Sequence, residues 1–399
     1  MSAILAARHR GTVLQWKEHR FYLDTVLLLT CLAVLLLGYV MVASASLHLG
    51  EKMEVDSFYF PRHQAIHILM GLMAGAAVAS VRLELWRRNS MTLFLIGLLL
   101  LVVVLIPGVG KSVNGSSRWV SLLGIRIQVS ELFKLIAVIY VAGYIDRRLQ
   151  SVRVSVLGMV RPFVPLAVAA VLLLKEPDFG ATAVIMATAL GILFLAGARL
   201  WPIGVLVGLM GGAGTVLIMT AAYRLKRVLS FVNPWDDPLN TDFQLAQALI
   251  AFGRGEWDGV GLGSSVQKLF YLPEAHTDFL FSVIGEELGL LGVTIVIVLF
   301  MLIVWRAFAI GQMAEQAGLC FAAFLAYGIG IWFGLQAFIN MGVNMGLLPT
   351  KGLTLPLMSY GGGSMIIMCS AIALLFRVRS EAVESWAGAP RARTTWARA

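Results

Sequence analysis

Charge is what this chain has least of. Only 13% of its 399 residues are Asp, Glu, Lys or Arg, whereas 59% are hydrophobic, against roughly 45–50% apolar in soluble domains. That balance excludes a soluble globular protein and reads as an integral membrane protein. Cysteine is scarce too: Cys31, Cys320 and Cys369 stand singly in apolar runs with no C-x-x-C spacing, which excludes a disulfide framework, a zinc ribbon or a dithiol redox motif and leaves packing as their role. No basic stretch is interleaved with aromatics in a soluble domain, so no nucleic-acid partner is expected. Internal repeats strong enough to use are missing, and so are long polar intervals, with one exception at residues 223–288.

What the chain does have is a series of apolar runs, each near the ~20 residues that cross a ~30 Å hydrocarbon core, where only helices satisfy the backbone of a chain of this kind. They fall at about 21–43, 60–80, 90–107, 130–145, 162–174, 180–196, 201–222, 279–305, 318–341 and 355–376. The expectation is an all-α polytopic membrane protein of about ten transmembrane helices, with one large extracytoplasmic loop, 223–280, between the seventh and eighth. Residues 1–20 form an N-terminal tail, 21–377 the membrane domain, and 378–399 a polar, disordered C-terminal tail. Val42 to Ser46 could pass for a signal-peptidase site, but the preceding run is longer than the roughly 7–15 residues of a signal-peptide core, so an uncleaved first span is expected.

Orientation follows from the cations. Arg8, Arg10, Lys17 and Arg20 share a side with Arg82, Arg87, Arg88, Arg147, Arg148, Arg153, Arg161, Arg306, Arg377 and Arg379, so the positive-inside rule puts both termini in the cytoplasm. The 223–280 loop is then external. Its acidic residues (Asp236, Asp237, Asp242, Glu256, Asp258, Glu274, Asp278) outnumber its basic ones. The external connection 108–128 breaks the rule, carrying Lys111, Arg118 and Arg126 with no acid. Such charge fits an anionic ligand such as a lipid phosphate, or three solvated or snorkelling cations.

Two motifs mislead. Gly108 to Ser112 resembles the end of a P-loop, but Leu105 stands where that pattern needs glycine, and no nucleotide is expected. Gly259 to Gly263 lacks the strand and helix of a dinucleotide fold, so its glycines read as tight turns or a place where backbone approaches a ligand.

Three constellations carry chemistry. In "RIQVSELFK", Arg126 to Lys134, Ser130 reads as an N-cap, and Glu131 and Lys134 share one face of the fourth span. An ionisable pair in an apolar segment is either functional or a lock between helices, and both roles are open. Asp278 closes "YLPEAHTD" just before the eighth span, where partial desolvation raises a carboxylate's basicity enough to take a hydroxyl proton; the alternative is a helix cap. His276 reads as a hydrogen-bonding side chain, Glu274 as a loop acid, and at least one of Glu286 and Glu287 needs a polar partner. In "LPTKGLTLPLMSYGGGS", Lys351 sits in a turn and Tyr360 precedes glycines that permit close packing or a broken helix.

Together, "AFGRGEWDGVGLGSSVQKLFYLPEAHTDF", "GEELG" and "LPTKGLTLPLMSYGGGS" resemble the SEDS family (shape, elongation, division and sporulation), more in the wording of its division branch than of its elongation branch. The resemblance covers the first span to Phe376. It implies a glycosyltransferase that polymerises lipid II, a disaccharide-pentapeptide on undecaprenyl pyrophosphate, during septal wall synthesis. It further implies work with a class B penicillin-binding transpeptidase and regulatory division proteins at the bacterial inner membrane, the partner's helix packing on the eighth or ninth span. The family's loop aspartate matches Asp278; its helix-four residues match Arg126, Glu131 and Lys134; its sensitive loop positions match Glu274, Lys351 and Tyr360. Gly363 departs from the family's usual serine. The implied chemistry is an inverting transfer with Asp278 as base, and Arg126, Lys111 and Arg118, with Lys351 or a divalent cation (Mg or Mn), stabilising the pyrophosphate. The competing readings are a lipid II flippase and a non-catalytic division scaffold.

Overall fold

In the computed structural model the described residues are 13–16, 19–52, 56–106, 111–113, 116–122, 125–220, 225, 231, 234–235, 243–350 and 352–388; the side chains of 13–16, 19–20, 51–52, 111–118, 120–127 and 270 lie outside the description. Every expected span overlaps a helix, although the last helix begins at Gly362 rather than near 355: α1 (Thr25–Lys52), α2 (Tyr59–Ser80), then after the short α3 (Leu83–Arg88), α4 (Ser90–Val104), α5 (Val129–Val154), and beyond the short α6 (Val156–Val160), α7 (Phe163–Lys175), α8 (Phe179–Leu195) and α9 (Leu200–Met219). The polar interval holds α10 (Phe243–Gly255) and a single π-turn at Gln267–Tyr271, and leads into α11 (Leu280–Gln316), α12 (Cys320–Asn344) and α13 (Gly362–Gly388). Among the described residues six stretches are long and apolar enough to cross a membrane by length and composition, and α4 and α8 are shorter apolar helices.

Two small sheets among the described residues depart from the all-helical expectation. Strands β1 (Val13–Trp16) and β2 (His19–Tyr22) form a hairpin before α1. Strands β3 (Lys111–Val113), β4 (Ser116–Leu122) and β5 (Ile125–Gln128) make an antiparallel meander at the opposite end, and β5 runs straight into α5.

Several of the arginines pair at helix ends. Asp24 accepts from Leu27 N at 2.9 Å, capping α1, and pairs with both Arg306 and Arg379. Beside it Arg87 pairs with Asp146 at 3.1 Å, Arg147 donates to Ser90 at 2.8 Å, and Arg153 to the Ala196 carbonyl at 3.0 Å. These contacts extend order past the expected start of the tail: Arg377 pairs with Glu381 at 2.7 Å, Glu381 accepts from Leu83 N at 2.9 Å, and α13 continues through Gly388. An i,i+4 ion pair and a buried arginine give the polar turns something to bind.

Helix α11 would be about 55 Å long if straight, more than a bilayer needs. It is broken at Gly289, where φ is 60° and ψ −161°. The loop glycine Gly259, itself at φ 83°, approaches the chain's own helix rather than a ligand, passing so near α11 that an added methyl would meet the Glu287 carbonyl at 2.2 Å. There Val260 N and Gly261 N donate to the Glu286 and Glu287 carbonyls, while Leu290 N and Leu291 N turn to Glu256 and Trp257. The helix ladder is interrupted and the loop supplies the missing partners, so each backbone group stays satisfied.

Candidate functional site

Asp278 ends the turn preceding α11, whose N-cap residue is Phe279 with no side-chain capping bond. The carboxylate is half-buried beneath the chain segment after α12: a methyl placed on Gly352 would stand 3.0 Å from Asp278 Oδ2. A side chain there would press on the carboxylate, which would have to give way by a few tenths of an ångström.

Glu274 shapes the turn. Its backbone is left-handed, φ 58°, which costs a non-glycine residue about 1–2 kcal/mol. Two features hold it: Thr277 Oγ1 donates to its carboxylate at 2.8 Å, and Thr277 N and Phe279 N donate to its carbonyl. Its side chain is exposed. Tyr360 joins the turn from the other side, its N–H donating to the His276 carbonyl at 3.0 Å. Its ring lies 5.4 Å from that of His276, 5.5 Å from Phe60 and 5.6 Å from His67.

Burial lowers the His276 pKa from its usual 6.5, against a smaller upward pull from Glu274. The folded ring stays neutral where the unfolded chain would take a proton, so stability is complete above 6.5 and is lost as pH falls below it. The thermal midpoint should drop on acidification through that range, and His276→Leu should flatten the drop. Parallel curves for the two proteins would remove His276 as the cause.

The fourth-span pair is interior. Glu131 and Lys134 are 4% and 1% exposed and meet at 2.7 Å. Lys134 Nζ also donates to Gln336 at 2.6 Å and lies 5.7 Å from the Trp332 ring. Gln336 in turn donates to the Thr354 carbonyl at 3.0 Å, so the network ends two residues from Gly352. Ser130 is not the cap: Gln128 occupies that position, and the Ser130 hydroxyl donates to Asp178 at 2.7 Å, tying α5 to the start of α8.

Glu286 and Glu287 are fully buried and both find partners in the polar loop. Glu286 accepts from the Ser265 hydroxyl, Val266 N at 3.1 Å and Gln267 N at 3.3 Å, and pairs with Arg254 at 3.2 Å. Glu287 pairs with Lys268 at 2.8 Å, and Ser44 of α1 hydrogen-bonds to both. Two anions in an apolar bundle are tolerable only with such full pairing.

The remaining expected residues fall at the edge of the description. Lys351 lies outside the described residues. Lys111, Arg118 and Arg126 lie on β3, β4 and β5, with Ser121 paired to Arg126, but their side chains lie outside them too. Among the described residues no three His, Cys, Asp or Glu side chains gather to hold a metal ion. Sequence reasoning missed Gln336, Asn340 and Asn344. Their signal was there: buried amides spaced by four in an apolar run, each of which must find a partner.

The chain has known relatives along most of its length. The cell cycle protein family model of FtsW, RodA and SpoVE matches residues 24–384. A relative in Methylococcus capsulatus, described as a probable peptidoglycan glycosyltransferase FtsW, is 72% identical over 379 residues, 95% of either chain. Among solved structures, a chain from a peptidoglycan synthase complex that coordinates polymerisation and crosslinking superposes with a TM-score of 0.73 at 27% identity, covering 92% of this chain and 99% of that one. The rod shape determining protein RodA of Thermus thermophilus follows at 0.66 and 26%, covering 91% and 97%. A match of that length and identity leaves one conclusion: the chain belongs to the cell cycle protein family of FtsW, RodA and SpoVE, the SEDS family, and lies with its FtsW members.

Proposed function

We propose that this protein is a peptidoglycan glycosyltransferase that polymerises lipid II into glycan strands at the division septum of the inner membrane, with both termini cytoplasmic. The observation that carries the reading is the placement of Asp278: a half-buried carboxylate at the N-terminal end of α11, facing the Gly352 backbone. Asp278 takes the proton of the acceptor's sugar 4-hydroxyl, and that oxygen attacks the donor's anomeric carbon from the face opposite the pyrophosphate. The bond from that carbon to the pyrophosphate oxygen breaks, and undecaprenyl pyrophosphate leaves with the electron pair. Arg126, Lys111, Arg118 and Lys351 are the candidates to balance its charge. A divalent cation, magnesium or manganese, would arrive on the pyrophosphate itself, as such ions commonly do. The donor is already activated, so no nucleotide enters.

The test is polymer formation from labelled lipid II by the purified protein with a class B penicillin-binding transpeptidase, with and without EDTA. Polymer that needs the protein supports the reading. Movement of intact lipid II across vesicles without polymer would favour a flippase.

For the partner, α11 offers the better of the two candidate faces. Leu291, Ile295, Met301 and Trp305 are exposed along its lipid-facing side, whereas α12 is largely interior. Single cysteines at 291 and 301 should cross-link to the transpeptidase's membrane helix. Absence of any cross-link from α11 or α12 would move the docking site elsewhere.

A further inference from the structure

Helix α12 carries an amide on every fourth residue through the apolar interior: Gln336, Asn340 and Asn344, exposed by 0%, 2% and 0%. Spacing by four stacks them on one face. Each is committed to a backbone or side-chain partner that leads to the candidate site. Gln336 Oε1 accepts from Lys134 Nζ and from Trp332 Nε1 at 2.9 Å, while its Nε2 holds the Thr354 carbonyl. Asn340 Nδ2 bridges two carbonyls, that of Leu353 at 2.6 Å and that of Asp278 at 2.8 Å. Asn344 Nδ2 donates to the same Asp278 carbonyl at 3.0 Å, and its Oδ1 accepts from Ser282 N at 3.1 Å and Ser282 Oγ at 2.7 Å.

We propose that this amide column is the positioning element of the reaction, and that Asn340 is its principal member. The inference rests on the reading of Asp278 as the base. Two donors converging on one carbonyl fix the plane of the Asp278–Phe279 peptide, and with it the direction in which the Asp278 side chain leaves the backbone. The same Asn340 nitrogen fixes Leu353, the neighbour of the glycine that faces the carboxylate. One side chain thus sets both walls of the narrow space around Asp278. Below it, Gln336 registers α12 against the Glu131–Lys134 pair, so those charges act on the site through α12 without touching a substrate. Catalysis by an oriented base is sensitive to displacements of about 1 Å, which cost on the order of 100-fold in rate.

Asn340 is a positioning residue, and its signature is a split between kcat and KM. In the complex with its transpeptidase, Asn340→Ala is expected to lower kcat for lipid II polymerisation about 10- to 100-fold, with KM changed less than about threefold and recovery of the complex unchanged. Asn344→Ala leaves the Asn340 bridge in place and should lose less, and it is the variant to read if Asn340→Ala does not accumulate. A kcat within twofold of wild type in the variant read, or kcat, KM and recovery failing together, would overturn the proposal. The two readings separate cleanly: an inactive Asp278→Asn beside a fully active Asn340→Ala removes the positioning role alone, whereas an active Asp278→Asn removes the base.

Discussion

Replacing Asp278 by asparagine is expected to abolish polymerisation while leaving the protein folded and in its complex. The amide has the size of the carboxylate, and the two bonds that anchor this turn to α12 are made by the Asp278 backbone carbonyl, which the substitution does not touch. What disappears is the capacity to hold a proton at the right place. General-base catalysis is worth roughly 10²–10⁴ in rate, so the variant should fall below detection in a gel assay that resolves about 1% of wild-type polymer. A folded Asp278→Asn that makes normal polymer would end the base assignment. Should wild type make no polymer itself while division still requires the protein, the scaffold reading would replace it.

Lys134→Met should give the second large effect, this time on stability. The lysine is 1% exposed, and its loss leaves the Glu131 carboxylate in the interior with its charge uncompensated. Breaking a buried pair by removing one partner costs about 3–5 kcal/mol. The expected result is a steep fall in thermal midpoint and in the yield of intact protein. The double variant Glu131→Gln with Lys134→Met distinguishes a lock from a working charge, since neutralising both partners removes most of the penalty. Recovery of both stability and polymerisation in the double variant makes the pair a lock. Recovery of stability alone makes the lysine's charge, acting through Gln336, part of what sets the site.

The apolar runs made the polytopic helical fold legible, because chain length through hydrocarbon and backbone satisfaction leave little freedom. Position along those spans was harder. The break at Gly289 was hidden in "GEELGLLG", where a glycine in a membrane helix commonly means close packing, and its left-handed backbone is imposed by a loop distant in sequence. The meander at 111–128 had a signal that went unread, the Asn114-Gly115 dipeptide between β3 and β4, which favours a tight hairpin. Asp278, Glu131 and Lys134 stood out as charges at costly depths. Asn340 did not, because an uncharged amide in a helix declares its role only when the carbonyls it binds, Asp278 and Leu353, are known to be neighbours.

The burial of Glu286 and Glu287 has a consequence for how the polar loop can be handled. Their carboxylates are ligated by Ser265, Val266, Gln267 and Lys268, so the loop and the upper part of α11 own one set of hydrogen bonds between them. Lifting the loop away would strand two anions in the bundle and strip the loop of its own anchors. It has no separate melting transition to offer and no independent existence as a fragment. Expressed alone, residues 223–280 should remain an unfolded peptide, and antibodies raised against that peptide should recognise the denatured protein better than the native one.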